Sequence, residues 1–353
     1  MTGAGNPWRL CVAPMMEWTD RHCRSFHRLL SSQARLYTEM VTTGALLHGD
    51  VARHLDFEAG ERPLALQLGG SDPADLARCA RLGESWGYDE INLNCGCPSE
   101  RVQRGSFGVC LMSEPRLVAE GVRAMLDAVS IPVTVKHRIG IDRNEEYGFV
   151  RDFVGHCFEA GCRVFVVHAR NAWLDGLSPR ENRDVPPLRY QVVRDLKRDF
   201  PQATIVLNGG LTNARGVRVA LETGDFPLDG VMLGRAAYQQ PRLLAELDRE
   251  LFEGSGAPGF AEGDAQSEST DEAMQALRLL DPMTEYLERA VARGATPWSV
   301  IRHTLGLMHG LPGARSWRRM LSDPAFVHAH GTQALRNAAR IAFEGHALYR
   351  IAA

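Results

Sequence analysis

Short runs of apolar and β-branched residues alternate with amphipathic stretches along the first two-thirds of the chain. In order, eight runs read RLCVAPM, RLYTEM, PLALQLGG, YDEINLNCGC, PVTVKHRIG, RVFVVHAR, TIVLNGG and DGVMLGRAA. Each predicts a buried strand, and stretches such as PADLARCARLGESWG between them have the apolar spacing of helices. Eight successive strand and helix units predict a parallel (β/α)8 TIM barrel of the α/β class. An open doubly wound sheet is the alternative, but no strand is followed by a GxGxxG motif that opens a helix.

The composition changes after this region. Residues 253–270 are rich in Gly, Ser, Ala and acidic residues, which is typical of a linker. Residues 271–353 have helical patterns and no strand signal, so they predict an all-α bundle. We therefore expect a catalytic barrel over residues 1–252, a linker, and a C-terminal helical domain. The predicted first residues of its helices are Asp271, Thr296, Asp323 and Thr332.

Composition and charge narrow the class of protein. Of the 353 residues 44% are hydrophobic and 24% charged, which is typical of a folded globular protein. The first residues lack the layout of a signal peptide and no run has the length of a membrane helix, so we expect a cytoplasmic protein. Its eight cysteines should stay reduced there, and none recurs at zinc-ligand spacing, so no metal is expected. The net charge of −3 does not indicate a nucleic-acid partner, which would need a local basic face.

The predicted strands end in polar residues, at the barrel face where catalysis takes place in this fold. These ends contain Met15, Met16 and Glu17, then Glu39, Gln67, Asn94 to Cys97, Lys136 and Arg138, His168 and Arg170, Asn208 to Gly210, and Gly234 with Arg235. Alternation along the strand predicts that Lys136 points into the barrel mouth and that His137 does not. Each residue alone is equally consistent with a hydrogen-bonded strand end, but eight polar ends together favour a functional site.

The last two strands carry a phosphate-binding pattern. Asn208, Gly209 and Gly210 follow one strand, and Gly234 and Arg235 follow the next. Bare glycine amides beside a helix start can bind a phosphate, and an arginine can add a charged contact. The alternative is that the glycines only turn the chain.

A flavin mononucleotide (FMN) fits this face better than a sugar phosphate. Gln67 and Lys136 can contact the polar edge of a ring system, and the loop of Pro14, Met15 and Met16 can pack against its face. This choice depends on fit alone.

The stretch NLNCGCPSERV brings two cysteines to one strand end. Cys95 is adjacent to the strand and is expected to fill space, as small buried cysteines do. Cys97 lies in a glycine-containing loop that we expect to be mobile over the barrel mouth. A neutral thiol there can deliver a proton near neutral pH.

Taken together, these motifs resemble the tRNA-dihydrouridine synthases over nearly the whole chain. The resemblance rests on APMMEWTDRHCR, YTEMVTTGALLHG, ALQLGGSDP, YDEINLNCGCPSERV, GVCLM, PVTVKHRIGID, VVHARNAWLDGLSPRENRDVPPL, NGGL and GRAAYQQP. Within the family, HARxAWLxGLSPxxNR and PGARxWRR are similar to the A type. His137 and Cys95 depart from the family pattern, which commonly has Thr and an aliphatic residue there.

The resemblance implies roles for individual residues. It makes Cys97 the general acid. It places Gln67, Lys136, His168, Asn208, Gly210, Gly234 and Arg235 around FMN. It places Asn94, Lys136, His168 and Arg183 around the target uracil.

The implied reaction is reduction of the C5–C6 double bond of D-loop uridines in tRNA, at positions 20 and 20a. Reduced FMN, recharged by NADPH or NADH, would pass hydride to C6, and Cys97 would protonate C5 from the opposite face. We expect a monomer, since no protein partner is implied.

RNA binding is expected partly from the helical domain. Arg315, Arg318 and Arg319 lie at helical spacing on predicted solvent-facing sides, and Trp317 either packs inward or stacks on a base. A solvated basic helix is the alternative from these residues alone, and the resemblance favours RNA. Weaker candidates for phosphate contact are Arg101 and Arg104, in the cysteine loop.

Two other functions remain open at this point. An FMN-dependent barrel oxidoreductase of a free small molecule, of the dihydropyrimidine or dihydroorotate type, would share the phosphate site. A tRNA-binding folding factor would need no chemistry at Cys97.

Overall fold

A computed structural model describes residues 6–100, 102, 105–252 and 268–343 of the chain. Its strands are β1 (Leu10–Val12), β2 (Leu36–Tyr37), β3 (Val41–Thr42), β4 (Leu64–Gly69), β5 (Glu90–Cys95), β6 (Val133–Arg138), β7 (Val164–His168), β8 (Thr204–Asn208) and β9 (Gly230–Leu233). All eight strands predicted from the sequence are present, and β3 is an additional short strand beside β4.

The strands form one parallel barrel. Their order is β1, β9, β8, β7, β6, β5, β4, β2, and every pairing is parallel. A parallel bridge between Cys11 and Arg35 joins β1 to the start of β2 and closes the ring. The predicted TIM barrel is therefore confirmed.

Helices follow the strands and continue after the last one. They are α1 (Arg21–Leu30), α2 (Thr43–His48), α3 (Val51–Leu55), α4 (Pro73–Trp86), α5 (Pro115–Leu126), α6 (Tyr147–Glu159), α7 (Tyr190–Asp199), α8 (Ala214–Glu222), α9 (Arg235–Gln239) and α10 (Arg242–Leu251). The later ones are α11 (Glu268–Arg278), α12 (Leu280–Ala292), α13 (Pro297–Ile301), α14 (Ala314–Leu321), α15 (Pro324–His330) and α16 (Ala334–Phe343).

Alternation along each strand separates the barrel interior from its outer surface. The interior contains a cluster of buried side chains, namely Cys11, Ala13, Tyr37, Ala65, Val166, Val206 and Met232. On β6 the His137 ring lies on the other side, 5.2 Å from the ring centre of Phe153 and 6.1 Å from that of Phe165. Lys136 instead points into the barrel, where its Nζ reaches Asn208 on β8, beyond the neighbouring strand β7. The predicted directions of Lys136 and His137 are confirmed.

The described chain divides into two compact units. One contains residues up to Arg21 together with Ala34–Gly234, and the other contains His22–Gln33 and the described residues from Arg235 onwards. The sequence-based bounds at 252 and 271 stay a prediction, because residues 253–267 lie outside the described part.

Two of the four predicted helix starts in the C-terminal region are confirmed. The Thr296 side chain accepts the N–H of Ser299 at the start of α13, and the Asp323 side chain accepts the N–H of Ala325 at the start of α15. Asp271 lies inside α11, which begins at Glu268, and Thr332 lies in a short 3₁₀ turn before α16. Those two predictions were wrong.

Candidate active site

Five polar side chains from consecutive barrel strands point into the same end of the barrel. They are Gln67 on β4, Asn94 on β5, Lys136 on β6, His168 on β7 and Asn208 on β8. Register places Asn94 opposite Lys136, and His168 opposite Asn208. Gln67 is 1% exposed, and the other residues are buried or nearly so. Parallel strands and inward alternation thus bring these predicted site residues together at the C-terminal face.

Lys136 is a largely buried amine with unused donors. Its Nζ donates to Asn208 Oδ1 at 3.1 Å, and Asn208 Nδ2 donates to the Met232 carbonyl at 2.8 Å. Burial, with a smaller contribution from repulsion by Arg138, lowers the pKa of Lys136 to about 7. Among the described residues no second hydrogen-bond acceptor contacts Nζ. An ammonium has three donors, so two remain for a ligand.

Two of the residues that influence Lys136 electrostatically, or are influenced by it, are predicted to bind the uracil, namely His168 and Arg183. Burial, and to a smaller extent repulsion from Arg138 and Lys136, holds the pKa of His168 well below its usual range. This imidazole is therefore neutral near pH 7. Arg183 is the exposed last residue of the 3₁₀ turn Glu181–Arg183, and its charge contributes to the lowered pKa of both Lys136 and His168. Arg183 therefore lies within electrostatic reach of the barrel mouth.

The glycines after β8 are needed by the local backbone. Gly209 and Gly210 have φ angles of 109° and 74°, in the region that favours glycine. A Cβ at Gly209 would lie 2.7 Å from His168 Cδ2, and one at Gly210 would clash with Leu188 and Tyr190. The turning role considered from the sequence therefore accounts for both glycines.

Gly234, at the end of β9, differs from these two. A Cβ there would meet no atom within 4 Å, so the strand end borders open space. Arg235 follows it as the first residue of α9. Open space beside a bare backbone is what a phosphate group needs.

The loop after β1 has the apolar surface expected of a ring-stacking segment. Pro14 and Met15 are half-buried, and Met15 packs against the interior cluster of the barrel. Met16 is 56% exposed. The Met15 amide donates to Thr19 Oγ1 at 2.9 Å, which holds the loop in place. With the buried amides, the free lysine donors and the space at Gly234, the residues present fit a flavin mononucleotide.

Cys97 and Cys95 differ in environment as predicted. Cys97 is partly exposed, its thiol donates to Ser99 Oγ at 3.5 Å, and its backbone carbonyl accepts the N–H of Val109 at 3.1 Å. A negative charge on this sulfur would raise the pKa of Lys136, so the thiol and the amine lie in the same electrostatic environment. Cys95 is fully buried, and burial raises the pKa of its thiol far above the usual range. Of these two thiols, only that of Cys97 is exposed enough for proton transfer.

Arg138 has a role that the sequence did not indicate. It is 3% exposed, and its Nε donates to the Gly96 carbonyl at 3.0 Å. Its Nη1 donates to the carbonyls of Asn171 and Asn182 at 2.8 and 2.9 Å. Burial lowers its pKa to about 10, so it stays charged at neutral pH. Arg138 therefore joins the cysteine loop to the loop after β7. Its place on the inward face with Lys136 was the only available signal.

Comparison with known proteins identifies the family. A family model described as dihydrouridine synthase matches residues 11–343. The chain belongs to the dihydrouridine synthase family.

Curated relatives extend over almost the full length. A protein of Pseudomonas putida named tRNA-dihydrouridine(20/20a) synthase is 57% identical over 314 residues, covering 89% of this chain and 88% of its own. One of the same name from Pseudomonas syringae is 54% identical over 345 residues, covering 98% and 97%. One from Escherichia coli is 50% identical over 335 residues, covering 95% of each chain. The family resemblance inferred from motifs is therefore confirmed.

The helical region of this dihydrouridine synthase family member presents basic side chains. Arg315, Arg318 and Arg319 are exposed on α14. Trp317 of the same helix is fully buried, and its Nε1 donates to the Thr304 carbonyl at 3.2 Å. Of the two possibilities for Trp317, inward packing is the one observed.

Three further expectations concern two arginines of the cysteine loop, membrane-spanning helices and metal sites. Arg101 and Arg104 lie outside the described residues. Over residues 6–100, 102, 105–252 and 268–343, no helix is both long and apolar enough to cross a bilayer. In the same part of the chain no three His, Cys, Asp or Glu side chains gather as a metal site would require.

Proposed function

We propose that this chain is an FMN- and NADPH-dependent tRNA-dihydrouridine synthase that reduces D-loop uridines, at positions 20 and 20a. The proposal is carried by one observation: the partly exposed thiol of Cys97 stands beside a ring of buried polar side chains at the catalytic end of a TIM barrel. The names of the relatives support tRNA as the substrate and these two positions as the targets.

The residues that fit FMN have separate tasks. Gln67, Asn208 and Lys136 would hold the polar edge of the ring, and Met16 would cover its face. Gly209, Gly210, Gly234 and Arg235 would bind the phosphate. When bound, the flavin supplies the hydride that reduces the uracil.

Side chains of the protein would orient the uracil, stabilise the developing charge and donate the proton. A uracil must leave its stack to enter the barrel mouth, where Asn94, His168 and Arg183 would orient it. Hydride addition at C6 builds negative charge on the uracil carbonyl, which the charges of Lys136 and Arg183 stabilise. The Cys97 thiol then donates its proton to C5, and the resulting thiolate is stabilised by nearby Lys136. The neutral His168 can donate one hydrogen bond without adding a charge.

Alanine variants of the two neighbouring cysteines test this assignment. Cys97→Ala should retain FMN and tRNA binding and lose about 10²-fold or more in dihydrouridine formation, the contribution of a general acid. Cys95→Ala is the matched control, because its buried thiol faces away from the site. The assay is mass spectrometry of dihydrouridine in tRNA from a strain that lacks the enzyme, with release of the flavin measured by its absorbance.

Two outcomes would contradict the proposal. Loss of activity in Cys95→Ala with full activity in Cys97→Ala would remove Cys97 from the acid role. Faster turnover of free uracil than of tRNA would favour the barrel oxidoreductase of a small molecule, and purified protein without FMN would argue against either enzyme.

A further inference from the structure

Five buried polar side chains form one continuous chain of hydrogen bonds inside the barrel. Asn94 Nδ2 donates to Gln67 Oε1 at 2.8 Å, and Gln67 Nε2 donates to Asn92 Oδ1 at 2.7 Å. Asn92 Nδ2 donates to Thr134 Oγ1 at 2.7 Å, and that hydroxyl donates to Glu90 Oε1 at 2.5 Å. All five residues are at most 8% exposed. The chain runs along about 13 Å of β5, the span of four residues.

Glu90 is the fixed end of this chain. Its carboxylate accepts hydrogen bonds from Trp8 Nε1 at 2.7 Å and from the Tyr37 hydroxyl at 2.9 Å. Arg35 Nη1 lies 3.2 Å from its Oε2, in a nearly fully buried ion pair. A carboxylate with these partners only accepts hydrogen bonds.

The acceptor character of Glu90 determines the direction of every later bond. Thr134 must donate its only proton to Glu90, so its oxygen accepts from Asn92. Asn92 then turns its carbonyl to Gln67, and Gln67 turns its own carbonyl to Asn94. No amide can rotate by itself, since a reversed amide would face donor to donor or acceptor to acceptor.

The other end of the chain reaches the cysteine loop. Because Asn94 Nδ2 is directed to Gln67, its Oδ1 is directed to the loop. There it accepts the N–H of Gly96 at 3.1 Å and the N–H of Cys97 at 3.0 Å. A reversed Asn94 would present donors to these two donors and release the loop.

We propose that Glu90 is a positioning residue, which acts through Thr134, Asn92, Gln67 and Asn94 to hold the Cys97 backbone in one place. The proposal rests on the function proposed for Cys97 and extends it to a residue at the opposite end of β5. The same hydrogen bonds determine which groups of Gln67 can bind a ligand. One of its two amide protons is donated to Asn92, and one lone pair of its carbonyl oxygen accepts from Asn94. An active thiol displaced by about 1 Å loses on the order of 10²-fold in rate, so remote orientation has a measurable effect.

The link at Thr134 can be removed with little change in shape. Thr134→Val lacks the hydroxyl, so Asn92 loses its acceptor and Glu90 loses a donor. Thr134→Ser keeps the hydroxyl and serves as the rescue variant. Thr284→Val is the matched control, because Thr284 is also fully buried and its hydroxyl has no hydrogen-bond partner in the described part of the chain.

Two readouts on the full-length holoenzyme test the proposal. The first is the rate of Cys97 alkylation by iodoacetamide, measured by peptide mass spectrometry relative to Cys110, the other partly exposed cysteine. The second is dihydrouridine formation on tRNA, separated into kcat and KM. We expect Thr134→Val to change the alkylation ratio about threefold or more and to lower kcat about tenfold, with KM for tRNA unchanged. Thr134→Ser should restore both values.

Glu90→Gln gives an independent measurement. If Thr134→Val does not fold, this variant decides whether Glu90 positions Cys97. Its new amide can donate to Thr134 and reverse the chain, so we expect the same two changes. The proposal is overturned if the variant measured behaves like Thr284→Val in both readouts. If wild-type protein forms no dihydrouridine, the proposed function fails, and the alkylation ratio still decides whether the chain positions Cys97.

Discussion

Replacing Lys136 with methionine should remove a specific pH dependence from the stability of the flavin-free protein. The Lys136 amine is largely buried and has Asn208 as its hydrogen-bond partner. Burial lowers its pKa from 10.5 to about 7, with a smaller contribution from the Arg138 charge. Methionine has a similar length and no charge, so it fills the same space without the cost of desolvation.

The sign and size of the effect follow from linkage. Between about pH 7 and pH 10.5 the unfolded chain holds the Lys136 proton and the folded chain does not. The free energy of unfolding therefore rises with pH in this window, and it is lowest below the folded pKa. At 1.36 kcal/mol per pKa unit, the rise between pH 7 and pH 9 is about 2 kcal/mol. Lys136→Met should lack this rise and should be more stable than wild type at pH 7, while binding FMN more weakly.

The composition of the chain makes the measurement direct. Lys136 and Lys197 are its two lysines, so labelling lysine Cε with ¹³C gives two lysine NMR signals to titrate. Urea unfolding at pH 7 and pH 9 gives the difference in stability. Lys197→Met is the control, because Lys197 is engaged in a partly buried ion pair with Asp229 at 2.8 Å, and its loss should leave the contribution of Lys136 unchanged. A Lys136 signal that titrates near its ordinary pKa, or parallel stability profiles for wild type and Lys136→Met, would refute the reasoning.

The helical region gives two further predictions. Trp317→Phe should lower the free energy of unfolding by about 1–2 kcal/mol, because a buried hydrogen bond and part of a buried ring are lost, although the Thr304 carbonyl keeps the N–H of Leu307. The affinity for tRNA should be unchanged, and weaker tRNA binding at equal stability would instead support base stacking. Arg318→Gln should reduce the slope of log affinity for tRNA against log salt by about 1, as expected for one lost phosphate contact. Arg336→Gln should have a smaller effect on this slope, because Arg336 is already paired with Asp281 at 2.9 Å. Equal slopes for wild type, Arg318→Gln and Arg336→Gln would show that Arg318 does not contact tRNA.

The barrel and the position of its site could be predicted because they depend on periodic patterns. Alternation along β6 was sufficient to separate Lys136 from His137, since the two faces of a barrel strand have different surroundings. The difference between Cys95 and Cys97 followed in the same way from the end of β5. Helix starts were less predictable, because several residues near Asp271 can cap or continue a helix.

Residues whose role depends on distant partners could not be predicted. Arg138 is paired with carbonyls of two other loops, and Glu90 with side chains from three other segments. From the sequence, Glu90 is a charged residue at the start of an apolar strand, where a surface position is the ordinary expectation. Burial of its charge is possible only because Arg35 and several donors converge on it, which no local pattern indicates.

The glycines after β8 and the glycine after β9 differ in how strongly they indicate a phosphate site. NGG was the clearest phosphate pattern, yet the φ angles of Gly209 and Gly210 and their close neighbours explain both glycines without a ligand. Gly234 has no such local explanation, because a Cβ there would enter open space. A side chain would therefore fit at this strand end in the protein alone. The absence of a side chain there is better explained by a group that needs the space, so Gly234 supports phosphate binding more strongly than the motif that first suggested it.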